Sequence, residues 1–162
     1  MTHFDLLLWD VDGTLLDFKA AEAAAIRALF ARYGLGACPD DMLARYSTIN
    51  QTYWKRLERG ELTRPQILVG RFEEFFRREG LDGPDPAAFN EDYQRALGET
   101  VVYRDRSLEL VAALRGQIPQ YAASNGTVVA QEKKLRLSGF DKLLDGVFLS
   151  VRLGAEKPAR AF

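Results

Sequence analysis

A short, continuously apolar run, Phe4, Leu6, Leu7, Leu8 and Trp9, is cut off by Asp10-Val11-Asp12-Gly13-Thr14. That is the pattern of a strand buried at the centre of a parallel sheet and ended by a glycine turn. Four helical spans follow with no strand between them. The first, Phe18 to Tyr33, is alanine-rich and stopped by Gly34; the second, Asp40 to Arg59, ends at Gly60. The third is opened by Thr63, carries Pro65 in its first turn and runs to Gly80, and the fourth starts at Asp85-Pro86 and ends near Gly98. The text then alternates: a helix from Ser107 to Arg115 with Gly116 beyond it, a strand from Gln120 to Ser124, a helix from Val128 to Ser138 closed by Gly139, and a strand from Val147 to Ser150. This order predicts an α/β domain whose first strand is separated from the rest by an inserted helical bundle. Trp54, Phe72, Phe75 and Phe76 are expected to be the packing core of that bundle rather than stacking surfaces.

Composition narrows the function classes. The 162 residues carry 47% hydrophobic side chains and a formal net charge of -1, enough for a packed core and too little positive charge for a nucleic-acid binder. Most of the basic residues are arginines scattered among acids, which reads as solvated helix faces. No signal-like segment or apolar run of membrane-spanning length occurs, so a soluble, cytoplasmic protein with no membrane partner is expected. His3 is the single histidine, which leaves Ser-His-Asp hydrolysis, histidine phosphatase chemistry and multi-His zinc sites poorly supplied. Cys38 is the single cysteine. Its spacing to Arg45 is one residue too long for a cysteine-phosphatase loop, and it is expected to lie in a helical region as a small apolar residue.

The candidate chemistry lies at the end of the first strand. Ligands in parallel sheets bind beyond the carboxyl ends of the strands, and strand alternation sends Asp10 and Asp12 the same way until the turn at Gly13 lets the second swing to face the first. Two neighbouring carboxylates take different roles when their surroundings differ. A carboxylate is a competent nucleophile at phosphorus, and a second is a competent proton donor and acceptor. Ser124 has a duller reading as the N-cap of the helix at Val128, Lys157 as a surface lysine, and Thr14 as a turn residue.

Three segments together resemble the haloacid dehalogenase (HAD) superfamily. Asp10-Val11-Asp12-Gly13-Thr14-Leu15-Leu16-Asp17-Phe18 is similar to its first motif, Ser124-Asn125-Gly126 to its second, and Glu156-Lys157-Pro158 with Phe162 to its third, in family order. The resemblance implies a Rossmann-like (HAD-like) three-layer core with a parallel sheet, formed by residues 1–16 and 102–162, and a helical C1 cap over 17–101. It implies a Mg²⁺-dependent phosphomonoester hydrolase. Asp10 is then the nucleophile and, with the Asp12 backbone carbonyl, a metal ligand; Asp12 is the general acid and base; Thr14, Ser124, Asn125 and Lys157 hold the phosphate. The cap segment Ile49 to Thr63, with Arg71-Phe72, is similar to the pyrimidine 5′-nucleotidase branch, which implies nucleoside 5′-monophosphates as substrates.

Two departures from the pattern carry their own expectations. Motif three reads Lys157-Pro158-Ala159-Arg160 rather than the commoner Lys-Pro-Asp-Pro, and no Asp or Glu follows Lys157 to supply the fourth, acidic motif that completes the metal site in the family. The core is therefore expected to lack its C-terminal part, to bind Mg²⁺ weakly, to hydrolyse nucleoside monophosphates poorly or not at all, and to expose a sheet edge that favours homo-oligomers or aggregation. The alternatives on the same scaffold are a sugar-phosphate phosphatase, a phosphoglucomutase-like enzyme, a true dehalogenase, for which Asp12 would be superfluous, or a non-enzymatic fragment.

Overall fold

The computed structural model describes residues 4–162, so His3 lies outside the described residues. The described chain divides into two compact units, one of residues 4–22 and 97–162, the other of residues 23–96.

The first unit is α/β. Strands β1 (Leu7–Asp10), β2 (Gln120–Ser124) and β3 (Gly146–Leu149) form a parallel sheet in the order β1-β2-β3, with Leu7 opposite Gln120 and Asp10 opposite Ala123. Parallel neighbours require a crossover. Between β2 and β3 this is made by α6 (Val128–Ser138) and a 3₁₀ turn at Phe140–Lys142. A helix α5 (Ser107–Leu114) precedes β2. Val11, Leu15, Leu16, Val111, Ala122, Leu135, Phe140 and Leu144 close the core between sheet and helices. Gln120, buried among them, has a partner at each end of its amide: it accepts from the Trp9 indole N–H at 3.1 Å and donates to the Val111 carbonyl at 3.0 Å, as a buried polar group must.

Two details of this unit differ from the sequence reading. The apolar run that reads as a central strand lies at an edge among the described strands: β1 pairs with β2 alone, its burial alternates, and Leu8 is half exposed, while Phe4 and Leu6 precede the strand and face solvent. Ser150 ends no strand; it opens a one-turn helix α7 (Ser150–Leu153).

The chain leaves and re-enters this unit side by side. Asp17 N–H donates to the Val102 carbonyl at 2.8 Å and Arg104 N–H to the Leu15 carbonyl at 3.1 Å, with an antiparallel bridge between Leu16 and Tyr103.

The second unit draws on helices α1 (Phe18–Tyr33), α2 (Asp40–Glu58), α3 (Arg64–Glu79) and α4 (Pro86–Glu99). Their ends are written locally. Asp17 accepts from Ala20 N–H at the start of α1 and Asp85 from Ala88 N–H at the start of α4; Thr63 and Gln66 make a capping box on α3, which Gly80 ends in the left-handed conformation. Tyr46, Phe72, Phe75, Phe89 and Tyr93 are fully buried and meet edge-to-face or stacked, so the aromatic residues of α3 are core, as expected; Trp54 is half-buried. Arg71 is buried with them, donating to Asn50 Oδ1 at 2.7 Å and Asn90 Oδ1 at 2.9 Å, its guanidinium over the Phe72 and Tyr93 rings. Cys38 is buried, but in the connection between α1 and α2 rather than in a helix; the following Pro39 disfavours the helical conformation at Cys38. Burial pushes its thiol up from the ordinary value, away from thiolate chemistry.

Candidate active site

Asp10 is the last residue of β1, and there its carboxylate stands 45% exposed. Parallel pairing with β2 brings it beside Ala123, so the loop after β2, Ser124-Asn125-Gly126, begins at its flank. Lys157 reaches the same point from the chain after α7: its Nζ lies 2.5 Å from Asp10 Oδ1 and donates to the Ala123 carbonyl at 2.8 Å. The lysine is held in place by Asn125, whose side chain donates to the Lys157 carbonyl at 2.9 Å and accepts from the Lys157 N–H at 2.8 Å. Asn125 is thus the fastener of Lys157. Lys157 is no free surface lysine.

The Thr14 hydroxyl donates to Asp10 Oδ2 at 3.4 Å, a long bond. Ser124 is buried, and its hydroxyl oxygen accepts from Gly126 N–H at 2.9 Å, which leaves the hydroxyl proton to donate elsewhere. Ser124 is not the helix cap. Thr127 caps α6, accepting from Ala130 N–H.

Asp12 turns aside. Gly13 takes a φ of 88°, a conformation only glycine adopts freely, and the chain folds back so that Leu15 and Leu16 N–H bond to the Val11 carbonyl. The Asp12 carboxylate meets a different lysine: Lys134 Nζ lies 2.6 Å from Oδ1, and Gln131 Nε2 lies 2.6 Å from Oδ2. Both partners come from α6 and both are buried.

The structure therefore gathers Asp10, Thr14, Asn125 and Lys157 into one connected cluster at the carboxyl edge of the sheet, with Ser124 in the same loop. It gives Asp12 its own cation. Gln131 and Lys134 are absent from the sequence-based set. The available signal was their i, i+3 spacing on the helix following the second motif, which puts both on one helix face.

The oxygen donors at this edge are few. Among the described residues no three His, Cys, Asp or Glu side chains come together as a metal cage. Asp10, exposed at the strand end, is a lone hard oxygen ligand, which suits a cation that keeps several waters, as Mg²⁺ does, better than an ion enclosed by protein.

A Rossmann-like α/β domain with a carboxylate and lysine paired at the carboxyl end of its first strand is the class of protein that fold and site define. The profile of the haloacid dehalogenase-like hydrolases matches residues 4–162, and the chain belongs to that family. It is 36% identical to the HAD-hydrolase YfnB of Bacillus subtilis (strain 168) over 162 residues, spanning 68% of that protein. It is 30% identical to the pyrimidine 5′-nucleotidase PynA of Streptococcus pneumoniae over 164 residues, covering 98% of this chain and 67% of PynA. The crystal structure of YfnB bound to magnesium superposes with a TM-score of 0.93 over 99% of this chain and 71% of that one. The L-2-haloacid dehalogenase of Xanthobacter autotrophicus shares the fold, with a TM-score of 0.72 at 18% identity over 98% of this chain and 62% of that one.

Proposed function

We propose that this chain carries the nucleophile, the general acid and the phosphate-binding residues of a Mg²⁺-dependent phosphomonoester hydrolase acting on nucleoside 5′-monophosphates. The observation that carries the reading is the division of the two carboxylates: Asp10 lies exposed at the strand end with Lys157, while Asp12 is held apart by Lys134 and Gln131. Two acids in different surroundings are suited to different steps.

In the first step an Asp10 oxygen attacks phosphorus in line. The bond from phosphorus to the leaving alcohol breaks, and Asp12 gives that oxygen its proton. In the second step water attacks the aspartyl-phosphate, Asp12 takes the water's proton, and the bond between phosphorus and Asp10 breaks to release phosphate. Lys157, Thr14, Ser124 and the N–H groups around Asn125 hold the phosphate oxygens and offset their charge. Asp10 and the Asp12 carbonyl would hold Mg²⁺, which when bound supplies further neutralisation of the phosphate. The likeness to a pyrimidine 5′-nucleotidase favours a small phosphorylated metabolite of the nucleotide class as substrate, in place of a nucleic acid or a membrane surface. Asp12 weighs against dehalogenation, in which displacement of halide from carbon has no leaving alcohol to protonate.

The test is phosphate release from a panel of nucleoside 5′-monophosphates and sugar phosphates in Mg²⁺, run beside Asp10→Asn. Pyrimidine nucleotides are expected to lead the panel. Equal turnover by the Asp10→Asn protein sinks the assignment of the nucleophile, and preference for a sugar phosphate sinks the substrate class.

A further inference from the structure

We propose that Gln131 and Lys134 are positioning residues for proton transfer: together they clamp the two oxygens of Asp12 so that the acid presents its proton to the leaving oxygen and, once ionised, a free lone pair to the attacking water. The inference rests on the phosphatase reading of Asp12 given above.

The clamp has two arms from one helix. Gln131 Nε2 donates to Oδ2 and Lys134 Nζ to Oδ1, each at 2.6 Å, and the two residues are 1% and 3% exposed. Each carboxylate oxygen accepts more than one hydrogen bond, so a donor on each oxygen fixes the plane of the group without using all its capacity. The helix is itself held in place: Thr127 caps its first turn, and Ala130 and Leu135 are buried beside the clamp residues.

Three observations set this arrangement apart from ordinary packing. A buried lysine costs stability unless it is paired, and the acceptor that Lys134 meets is a residue of the catalytic loop. Gln131 spends its donor on Asp12 while its own Oε1 is buried with no hydrogen-bond partner; an amide placed for stability alone would satisfy both ends. Finally, a Cβ on Gly126 would fall 2.0 Å from Gln131 Nε2. The glycine that closes the second motif leaves the space through which the glutamine reaches Asp12. An acid that must meet a leaving oxygen within hydrogen-bond reach depends on such orientation, and small misplacements cost about 10²-fold in rate.

The test compares the wild type with Lys134→Met, Gln131→Leu, the milder Gln131→Asn and the charge-keeping Lys134→Arg. Two substrates are used: a nucleoside 5′-monophosphate, whose alkoxide needs a proton, and p-nitrophenyl phosphate, whose leaving group barely does. Lys134→Met and Gln131→Leu are each expected to lower kcat on the nucleotide by at least about 10-fold with KM little changed, to lower it much less on p-nitrophenyl phosphate, and to add little in an Asp12→Asn background. Lys134→Arg should recover most of the loss. Equal losses on the two esters, or full additivity with Asp12→Asn, overturn the positioning role. A second readout needs no turnover. The side-chain amide protons of Gln131 in ¹⁵N-labelled protein should exchange slowly and shift on Asp12→Ala; rapid exchange with no response to Asp12→Ala shows that there is no clamp. Should the wild type hydrolyse neither ester, the phosphatase reading fails, while the amide resonance still decides whether Gln131 holds Asp12.

Discussion

Asp10 and Asp12 are two residues apart and share almost no surroundings. Asp10 is the more exposed, and its lysine is also partly exposed; Asp12 is 26% exposed, and its lysine is buried. Asp10→Asn keeps the shape of the side chain and removes the attacking charge. It should therefore abolish turnover, by at least about a thousand-fold, while the thermal transition stays near that of the wild type. Asp12→Asn should cost about 10²- to 10⁴-fold on a nucleotide and far less on p-nitrophenyl phosphate in the phosphorylation step, as measured by burst kinetics. Equal damage on both esters would remove the general-acid role. A third pair tunes stability to pH. The Tyr33 hydroxyl, donating to Asp92 at 2.7 Å, and then the Arg95 guanidinium hold the Asp92 carboxyl below its ordinary value, while the same bond raises the Tyr33 phenol. A lowered carboxyl stabilises the fold above its ordinary pKa of 3.8 and loses that contribution as pH falls through the folded value. The raised phenol contributes below 10.0 and loses it as pH rises through the folded value. Urea midpoints across pH should fall at both ends for the wild type. Asp92→Asn should start lower at neutral pH and be flatter at each end.

At the scale of elements, the helices of the second unit were readable because their signals are local. Caps and stops act within one turn of the residue that carries them, so Thr63, Asp85, Gly80 and Gly34 mark helix ends that the structure places within a residue or two. Thr63→Ala should remove the capping box of α3 at a cost of about 1 kcal/mol in urea unfolding. Phe72→Ala, at the centre of the aromatic core and fully buried, should cost about 3–5 kcal/mol. Strand character was harder to read. The apolar run before Asp10 says only that side chains avoid water; whether the strand has one neighbour or two depends on what the rest of the chain supplies, and here Leu8 is left half exposed. Ser150 shows the same limit at the other end of the sheet: a polar residue after an apolar run closes a strand or opens a helix with equal ease, and the turn to Gly154 makes it the latter. Cys38, expected in a helical region, lies instead in the connection between α1 and α2, where Pro39 disfavours the helical conformation at Cys38.

For the molecule as a whole, the described residues offer oxygen donors without a closed cage, and no helix among them is long and apolar enough to cross a membrane. Calorimetric titration should therefore find weak Mg²⁺ binding by the 162-residue chain alone, tightened when inorganic phosphate is present to complete the coordination, and abolished by Asp10→Ala. Tight Mg²⁺ binding that survives Asp10→Ala would place the cation elsewhere. What the sequence by itself determined is everything carried by short-range pattern: an acidic loop at the end of a strand, helices with their caps, a Ser-Asn-Gly turn after a second strand, and a lysine beside a proline. These follow from periodicity and turn chemistry, which need only neighbouring residues. Only the tertiary structure decided which cation meets which carboxylate. Lys157 and Asp10 are 147 residues apart, and Lys134 and Asp12 are 122 apart. Their meeting depends on parallel strand register and on the packing of α6, both set by burying the common core, so the i, i+3 spacing of Gln131 and Lys134 says that they share a helix face and not that this face meets Asp12.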